Sequence, residues 1–216
     1  MQAEENYGYE SVLLNPPAQT SSAETDVSAA NGFIPVENAT GQAYIFRPKK
    51  TYLINGLASS VESIGYGFTN LSKKIPGSKL HNYASFIESS TIIRSRVTKE
   101  LKTAYESNPN VEINLIGISF GANIVTLIAA DLDRAGIPVN YLATMEGPAM
   151  VPIRDNVRVA DNFSCTNLDC FRTKSRLSFG NKTTRYSAFK IKSSHIPLAN
   201  NAQVHSRILS QLANSY

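Results

Sequence analysis

One stretch of the sequence, residues 111–136, limits the possible folds more than any other. Residues 111–116 alternate between apolar and polar side chains and then become wholly apolar, which predicts a central strand. An apolar pattern with helical period follows from about Ala122 to Arg134 and ends at Gly136. A buried strand that leads directly into a helix is typical of a parallel sheet covered by helices.

The same alternation of strand and helix patterns recurs along most of the chain. Helical periodicity occurs from about residue 57 to 74, interrupted near two glycines, and again at 92–105 and 201–213. Strand patterns occur at residues 52–54, 80–86, 139–145 and 186–191. We therefore predict an α/β fold with a mostly parallel central sheet and helices on both faces.

Length and composition fit one domain with a short extension. The chain has 216 residues, of which 42% are hydrophobic, enough for one sizeable core. Residues 1–31 have neither helical nor strand periodicity, so we predict a flexible acidic extension there and a single domain at 32–216. Short apolar pieces at 33–36 and 43–46 indicate a hairpin or an edge strand that leads into the domain.

The charge and the length of the apolar runs argue against nucleic acid as a partner and against a membrane-spanning segment. The net charge is only +4, and there is no block of Lys and Arg, so no nucleic-acid binding is predicted. No apolar run reaches the ~18 residues that span a bilayer, so no transmembrane segment is expected. The charge is unevenly distributed, because residues 1–46 hold six acids and neither Lys nor Arg, which leaves +10 for the rest.

The two cysteines leave the compartment open. Cys165 and Cys170 lie five residues apart and either close a small disulfide in an exported protein or remain free thiols in a cytoplasmic one. A signal peptide is not apparent at the amino end, so the protein is cytoplasmic or has lost its leader. Cysteine and histidine spacing does not match a zinc site, and neither a metal nor another cofactor is predicted.

The most informative motif is Gly117-Ile118-Ser119-Phe120-Gly121, between the predicted central strand and its helix. A nucleophile on a sharp strand-to-helix turn needs small residues two positions before and after it, and Gly117 and Gly121 meet that need. Ser119 is then the candidate nucleophile, and the amide of Phe120 is a candidate oxyanion donor. The alternative is a tight turn without chemistry.

A serine nucleophile needs a histidine base and an acid, which follow it in the chain in the order Ser, acid, His. Of the two downstream histidines, His195 is favoured because it follows the last predicted strand, whereas His205 lies on the apolar side of the final helix. Glu146 is the favoured acid because it directly follows a strand. Asp155 and Asp161, expected in the next loop or helix, are reserves, and a solvated loop carboxylate is the alternative for Glu146.

The second oxyanion donor is expected after the first strand of the domain. Asn55-Gly56-Leu57 occupies that place, and Gly56 permits close approach of the backbone, which makes the amide of Leu57 the candidate donor. A simple Asn-Gly turn is the alternative.

These four segments together resemble the α/β-hydrolase superfamily of esterases, lipases and thioesterases over about residues 51–216. The chain looks most like small lipase-like members with a minimal cap, because only about 40 residues separate Glu146 from the final strand. The resemblance implies Ser119 as the acyl-accepting nucleophile, His195 as general base and acid, and Glu146 as the residue that orients it. Many relatives have His where Ile118 and Asn55 stand here, and Asp is more common than Glu as the acid.

The leading hypothesis is a serine hydrolase that cleaves a small-molecule or lipid-like ester or thioester through an acyl-enzyme. Two alternatives are a non-catalytic binding or envelope-associated protein on the same scaffold and an acyltransferase with the same triad. Seven positive charges between residues 171 and 192 form a solvated face or attract an anionic substrate. Four apolar residues in that region line an acyl pocket or seal the core: Phe163, Phe171, Leu177 and Phe179.

Overall fold

A computed structural model describes residues 47–57, 67–85 and 87–214 of the chain. Six parallel strands form one sheet in the order β2-β1-β3-β4-β5-β6. The predicted extension at 1–31 and the predicted hairpin at 33–46 lie outside the described residues. The strands are β1 (Lys49–Ile54), β2 (Lys79–His81), β3 (Glu112–Ile118), β4 (Val139–Met145), β5 (Val157–Cys165) and β6 (Arg185–Ile191).

Four α-helices accompany the sheet: α1 (Thr69–Lys73), α2 (Arg94–Ser107), α3 (Phe120–Asp133) and α4 (Ala202–Ala213). A π-helical segment, Glu88–Ile93, leads into α2, and a 3-10 turn, Pro197–Asn200, precedes α4. The side chain of Asn201 caps α4 by accepting hydrogen bonds from the amides of Gln203 and Val204. Among the helices that the structure describes, none is long and apolar enough to cross a bilayer.

The sheet separates two apolar clusters, as a fully covered parallel sheet requires. One cluster contains the buried faces of α2 and α3, with Leu101, Ile128 and Leu132 fully buried. The other contains α1 and α4, with Leu71 and Ile208 fully buried. Every residue of β3 is buried, which explains why its sequence becomes wholly apolar. The prediction of a parallel α/β sheet with helices on both faces is confirmed.

The order of the strands places a cleft at the carboxyl edge of the sheet. From β1 the chain moves outward to β2 and then returns to form β3 on the other side of β1. The connection after β1 and the connection after β3 therefore run in opposite directions across the sheet and leave a crevice between them. In open α/β sheets, ligands bind in this kind of crevice. The loop after β1 and the turn after β3 therefore face each other across the expected binding site.

The sequence interpretation missed one strand entirely. Asp161 was expected in a loop or helix, but it lies within β5, between β4 and β6. The predicted strand at 80–86 is also shorter than expected and ends at His81. β5 combines apolar residues with Asp161, Asn162 and Ser164, all buried, and this polar content hides the strand pattern.

Asp161 has a structural role in the interior. Its carboxylate accepts hydrogen bonds from the guanidinium of Arg207 in α4 at 2.8 and 3.2 Å, and from the hydroxyl of Tyr141 in β4 at 3.0 Å. The side chain of Asp161 is completely buried. Burial, together with the charge of Asp161, raises the pKa of Tyr141 well above its usual range. The carboxylate therefore ties α4 to the sheet.

We predict that Asp161→Asn lowers the free energy of unfolding by about 2 kcal/mol, because a neutral amide replaces the buried carboxylate that pairs with Arg207. The loss is moderate because the Arg207 side chain is partly exposed to water. Turnover per folded molecule should not change. Urea unfolding followed by circular dichroism suits a chain without Trp. Asp155→Asn, at an exposed position before β5, is the matched control and should change the free energy by less than about 0.5 kcal/mol. Loss of turnover in well-folded Asp161→Asn would contradict this assignment.

Candidate active site

Ser119 occupies a strained turn between β3 and α3. Its φ is 55° and its ψ is −129°, values that are unfavourable for a residue with a side chain. Its amide still donates to the carbonyl of Met145 at the end of β4, at 2.7 Å, and its carbonyl accepts from the amide of Ala122 at 2.9 Å. The backbone is therefore held by the sheet on one side and by the helix on the other, and the strain at Ser119 persists.

Two glycines make this turn possible. A Cβ added at Gly121 would lie 2.1 Å from the carbonyl oxygen of Ile54, and one added at Gly117 would lie 2.4 Å from the carbonyl oxygen of Gly121. Both obstructions are backbone atoms, which cannot rotate away. The glycines at these two positions therefore let the amino end of α3 pack against the end of β1.

The loop after β1 lies beside Ser119. A Cβ added at Gly56 would lie 3.1 Å from the Cβ of Ser119 and 3.5 Å from its hydroxyl oxygen. Leu57 follows at a partly exposed position, and Phe120 is the first residue of α3. The structure thus brings Ser119 together with both predicted sources of oxyanion donors, although the role of the Leu57 and Phe120 amides remains a prediction.

Asn55 holds this loop in place, a role that sequence reasoning did not assign. Its side-chain oxygen accepts from the amide of Phe68 at 3.0 Å, its side-chain nitrogen donates to Asn82 at 2.6 Å, and its amide donates to the carbonyl of His81 at 3.1 Å. The amide group of Asn55 places a donor nitrogen and an acceptor oxygen on the same carbon atom, and a histidine ring has no such group. Asn55 is 1% exposed, so these contacts fix the backbone on the amino side of Gly56.

Glu146 directly follows β4 and is fully buried, so the alternative of a solvated loop carboxylate is wrong. One carboxylate oxygen accepts from the amide of Cys165 at 3.1 Å, and the other accepts from the amide of Arg172 at 2.8 Å. The backbone of Glu146 also has a positive φ, 50°. Two main-chain amides therefore orient the carboxylate and compensate part of its desolvation.

His195 lies on the loop after β6, close to Glu146. A ring nitrogen of His195 and a carboxylate oxygen of Glu146 lie within 4.8 Å of each other. The ring also makes an edge contact with Phe171, with centroids 4.8 Å apart. Its Nδ1 atom is buried and has no hydrogen-bond partner among the described residues. Hydrogen bonds in active sites are often long before substrate binds, so this separation is compatible with Glu146 as the predicted partner of His195.

Burial lowers the pKa of His195, while the negative charges of Glu146 and Asp169 partly oppose that shift. The imidazole is therefore neutral at neutral pH, which is the form that accepts a proton. His205, by contrast, is buried in α4, and its Nε2 lies 2.7 Å from the carbonyl of Ala199. That contact gives His205 a structural role.

One group of potential metal ligands occurs among the described residues. Atoms of Glu146, Cys165 and His195 all lie within 4.8 Å of one another. Cys165 is bonded to Cys170 in a disulfide, and its sulfur therefore lacks the thiolate that a metal would bind. The group is therefore better described as a carboxylate and an imidazole beside a disulfide.

The four apolar residues in or near the positively charged segment 171–192 lie in different environments. Phe163 is buried in the cluster of α1 and α4, whereas Leu177 packs against the cluster of α2 and α3. Phe179 is fully exposed, and Phe171 is half-exposed against His195. Of the four, only Phe171 is shown in contact with a proposed catalytic side chain. The charged residues Arg172 and Lys174 are exposed on the same stretch.

Comparison with known proteins agrees with this architecture. Residues 51–150 match the family model of the class 3 lipases, a segment that includes Ser119 and Glu146 and ends before His195. The thioesterase domain that cyclises the lipopeptide antibiotic surfactin superposes with a TM-score of 0.52 at 13% identity, covering 79% of this chain and 93% of that domain. The chain has an α/β-hydrolase-like fold and resembles the lipases and thioesterases of that superfamily. The resemblance inferred from its motifs is therefore confirmed.

Sequence relatives are similar over a shorter span. Two secreted mono- and diacylglycerol lipases, from Penicillium cyclopium and Penicillium camembertii, are each 38% identical over 63 residues. That alignment covers 29% of this chain and spans about a fifth of the length of each lipase, 21%.

The pH dependence of hydrolysis should reflect the pKa of His195. Only a neutral imidazole can accept a proton, so with His195 as the predicted base kcat/KM should fall as the pH drops through the pKa of His195. Because burial lowers that pKa, the acidic midpoint should lie below 6.5, the ordinary value for histidine. Glu146→Gln removes a charge that raises the pKa, so its midpoint should move lower still, with a loss in kcat of about 100-fold or more. A midpoint above 6.5, or one that rises in Glu146→Gln, would contradict these roles.

Proposed function

We propose that this protein cleaves a carboxylic ester or thioester through an acyl-enzyme on Ser119. The observation that carries the proposal is the strained backbone of Ser119, with φ at 55°, at the amino end of α3 and beside Gly56. A non-glycine residue in this conformation costs about 1–3 kcal/mol and persists only where surrounding structure imposes it. A strained turn of this kind holds the serine side chain above the carboxyl edge of the sheet, where a substrate carbonyl can reach it.

Attack by the Ser119 hydroxyl on the substrate carbonyl requires removal of the hydroxyl proton. His195 accepts that proton, and Glu146 stabilises the imidazolium that results. The negative oxygen of the tetrahedral intermediate lies against the amino end of α3, where the amides of Phe120 and Leu57 serve as donors. His195 then protonates the departing alcohol or thiol. In the second half-reaction the same imidazole deprotonates a water molecule that attacks the acyl carbon, and it returns this proton to the Ser119 oxygen as the acyl–serine bond breaks and the acid leaves.

Ester and thioester substrates both fit this sequence of steps, because each has a leaving group that accepts one proton. The names of the Penicillium relatives make monoacylglycerols and diacylglycerols natural members of the test panel. Hydrolysis is the reaction proposed. It is supported by the two described connections from β4 to β5 and from β5 to β6, which contain no helix that would shield the acyl-enzyme from water.

The test is a panel of p-nitrophenyl esters of graded chain length, extended with thioesters and glycerides. Wild-type protein should hydrolyse at least one class, and Ser119→Ala should lose about 1,000-fold or more in kcat. Ser206→Ala, at an exposed serine of α4, is the matched control and should retain wild-type kcat. Gly56→Ala should lose kcat with little change in KM, because the added methyl group crowds Ser119.

Equal rates for wild type and Ser119→Ala on every substrate would refute the proposal. Melting curves for all four proteins exclude a trivial loss through unfolding.

A further inference from the structure

The acid and the base of the proposed triad come from strands that are not neighbours. Glu146 follows β4, and His195 lies in the loop after β6. β5 lies between these two strands in the sheet. The segment that continues from the end of β5 is therefore placed between the side chains of Glu146 and His195. We call this segment, residues 165–172, the disulfide loop.

The disulfide loop is closed at its base. Cys165, the last residue of β5, is bonded to Cys170, with their α-carbons 5.7 Å apart. Cys165 is 2% exposed and belongs to the core cluster of α1 and α4, against which Cys170 also packs. Closure keeps a segment of largely exposed residues at a fixed position relative to the sheet.

Both ends of the loop bind Glu146. The amide of Cys165 donates to one carboxylate oxygen at 3.1 Å, and the amide of Arg172 donates to the other at 2.8 Å. Arg172 has a φ of 56°, which is unusual for a residue with a side chain. The backbone at Arg172 thus adopts an unfavourable conformation where its amide meets the carboxylate.

The middle of the loop binds the segment that carries His195. A carboxylate oxygen of Asp169 accepts from the amide of His195 at 2.9 Å. Asn167 makes two further contacts, from its amide to the carbonyl of Ser193 at 3.3 Å and from its side chain to the hydroxyl of Ser194 at 2.8 Å. Phe171 adds its edge contact with the imidazole.

We infer that the disulfide loop sets the position of His195 relative to Glu146, with Asp169 as the positioning residue that fixes the backbone of the histidine. The inference rests on the proposed function for its catalytic consequence. It extends that function, because neither the motif nor the triad includes Asp169 or the disulfide. Misplacement of a catalytic group by about 1 Å costs up to about 100-fold in rate, so a loop with these contacts affects turnover directly.

Two negative groups influence the His195 imidazole, Glu146 and Asp169, and both raise its pKa against the effect of burial. Asp169 thus has two separable effects on His195. Its oxygen holds the main-chain amide, and its charge favours the protonated ring. An asparagine at 169 retains an acceptor oxygen and loses the charge, whereas an alanine loses both.

The kinetic test compares three variants with wild type on the ester hydrolysed fastest. Asp169→Ala and the double variant Cys165→Ser with Cys170→Ser should each lose about 10- to 100-fold in kcat with KM within about twofold. Asp169→Asn should retain most of kcat, and the acidic midpoint of its kcat/KM profile should move to lower pH. Asp133→Asn removes a charge at the far end of α3, roughly 20 Å from Ser119, and should match wild type.

A second readout does not depend on turnover. The chain has three histidines, and His195→Gln assigns the His195 ring signals in an NMR titration. In Asp169→Asn the titration of His195 should move to lower pH, while His81 and His205 serve as internal references that do not move.

The possible outcomes separate the two proposals. Wild-type kcat in both Asp169→Ala and the double serine variant, or an unchanged His195 titration in Asp169→Asn, overturns the inference about the loop. A wild-type protein that hydrolyses nothing while the His195 titration still moves overturns the proposed hydrolysis and supports the contact between the loop and His195.

Discussion

Close packing of the amino end of α3 against the carboxyl end of β1 is the constraint on which the candidate site depends. It brings the carbonyl of Ile54 to 2.1 Å from the place where a Cβ at Gly121 would lie, a distance that no side chain tolerates. With the helix this close, the chain must turn sharply after β3, and Ser119 takes the strained conformation. Gly56, which follows β1, is brought beside the serine by the same contact.

The remaining parts of the site come from successive strand ends along the same edge. β4 ends at Glu146, β5 continues into the disulfide loop, and β6 leads to His195. Because parallel strands all point the same way, these ends lie along one edge of the sheet, and hydrogen bonds to main-chain amides complete the arrangement. The carboxylate is bound by two amides and the backbone of the histidine by Asp169. Hydrogen bonds between main-chain amides and two carboxylates, those of Glu146 and Asp169, thus connect the parts of the site.

Much of this was accessible from the sequence, for physical reasons. The apolar run of β3 and the glycines around Ser119 are local patterns, and they predicted the α/β fold that the structure confirms. β5 was missed because its buried Asp161 and Asn162 break the apolar pattern, and their partners, such as Arg207 and Ser175, lie far away in the chain. The contact of Asp169 with His195 spans 26 residues, and no local pattern encodes it. Burial of Glu146 likewise depends on the amide of Arg172, whose positive φ no residue preference would predict.

The proposed acyl-enzyme is tested most directly by a fluorophosphonate, which forms a stable adduct with an activated serine. Intact mass measurement should show one adduct on the wild-type chain, and peptide mapping should place it on Ser119. Ser119→Ala should remain unmodified, and His195→Gln should react far more slowly, because the serine would lack its base. Folded wild-type protein that never reacts, or an adduct that persists in Ser119→Ala, would contradict the central claim.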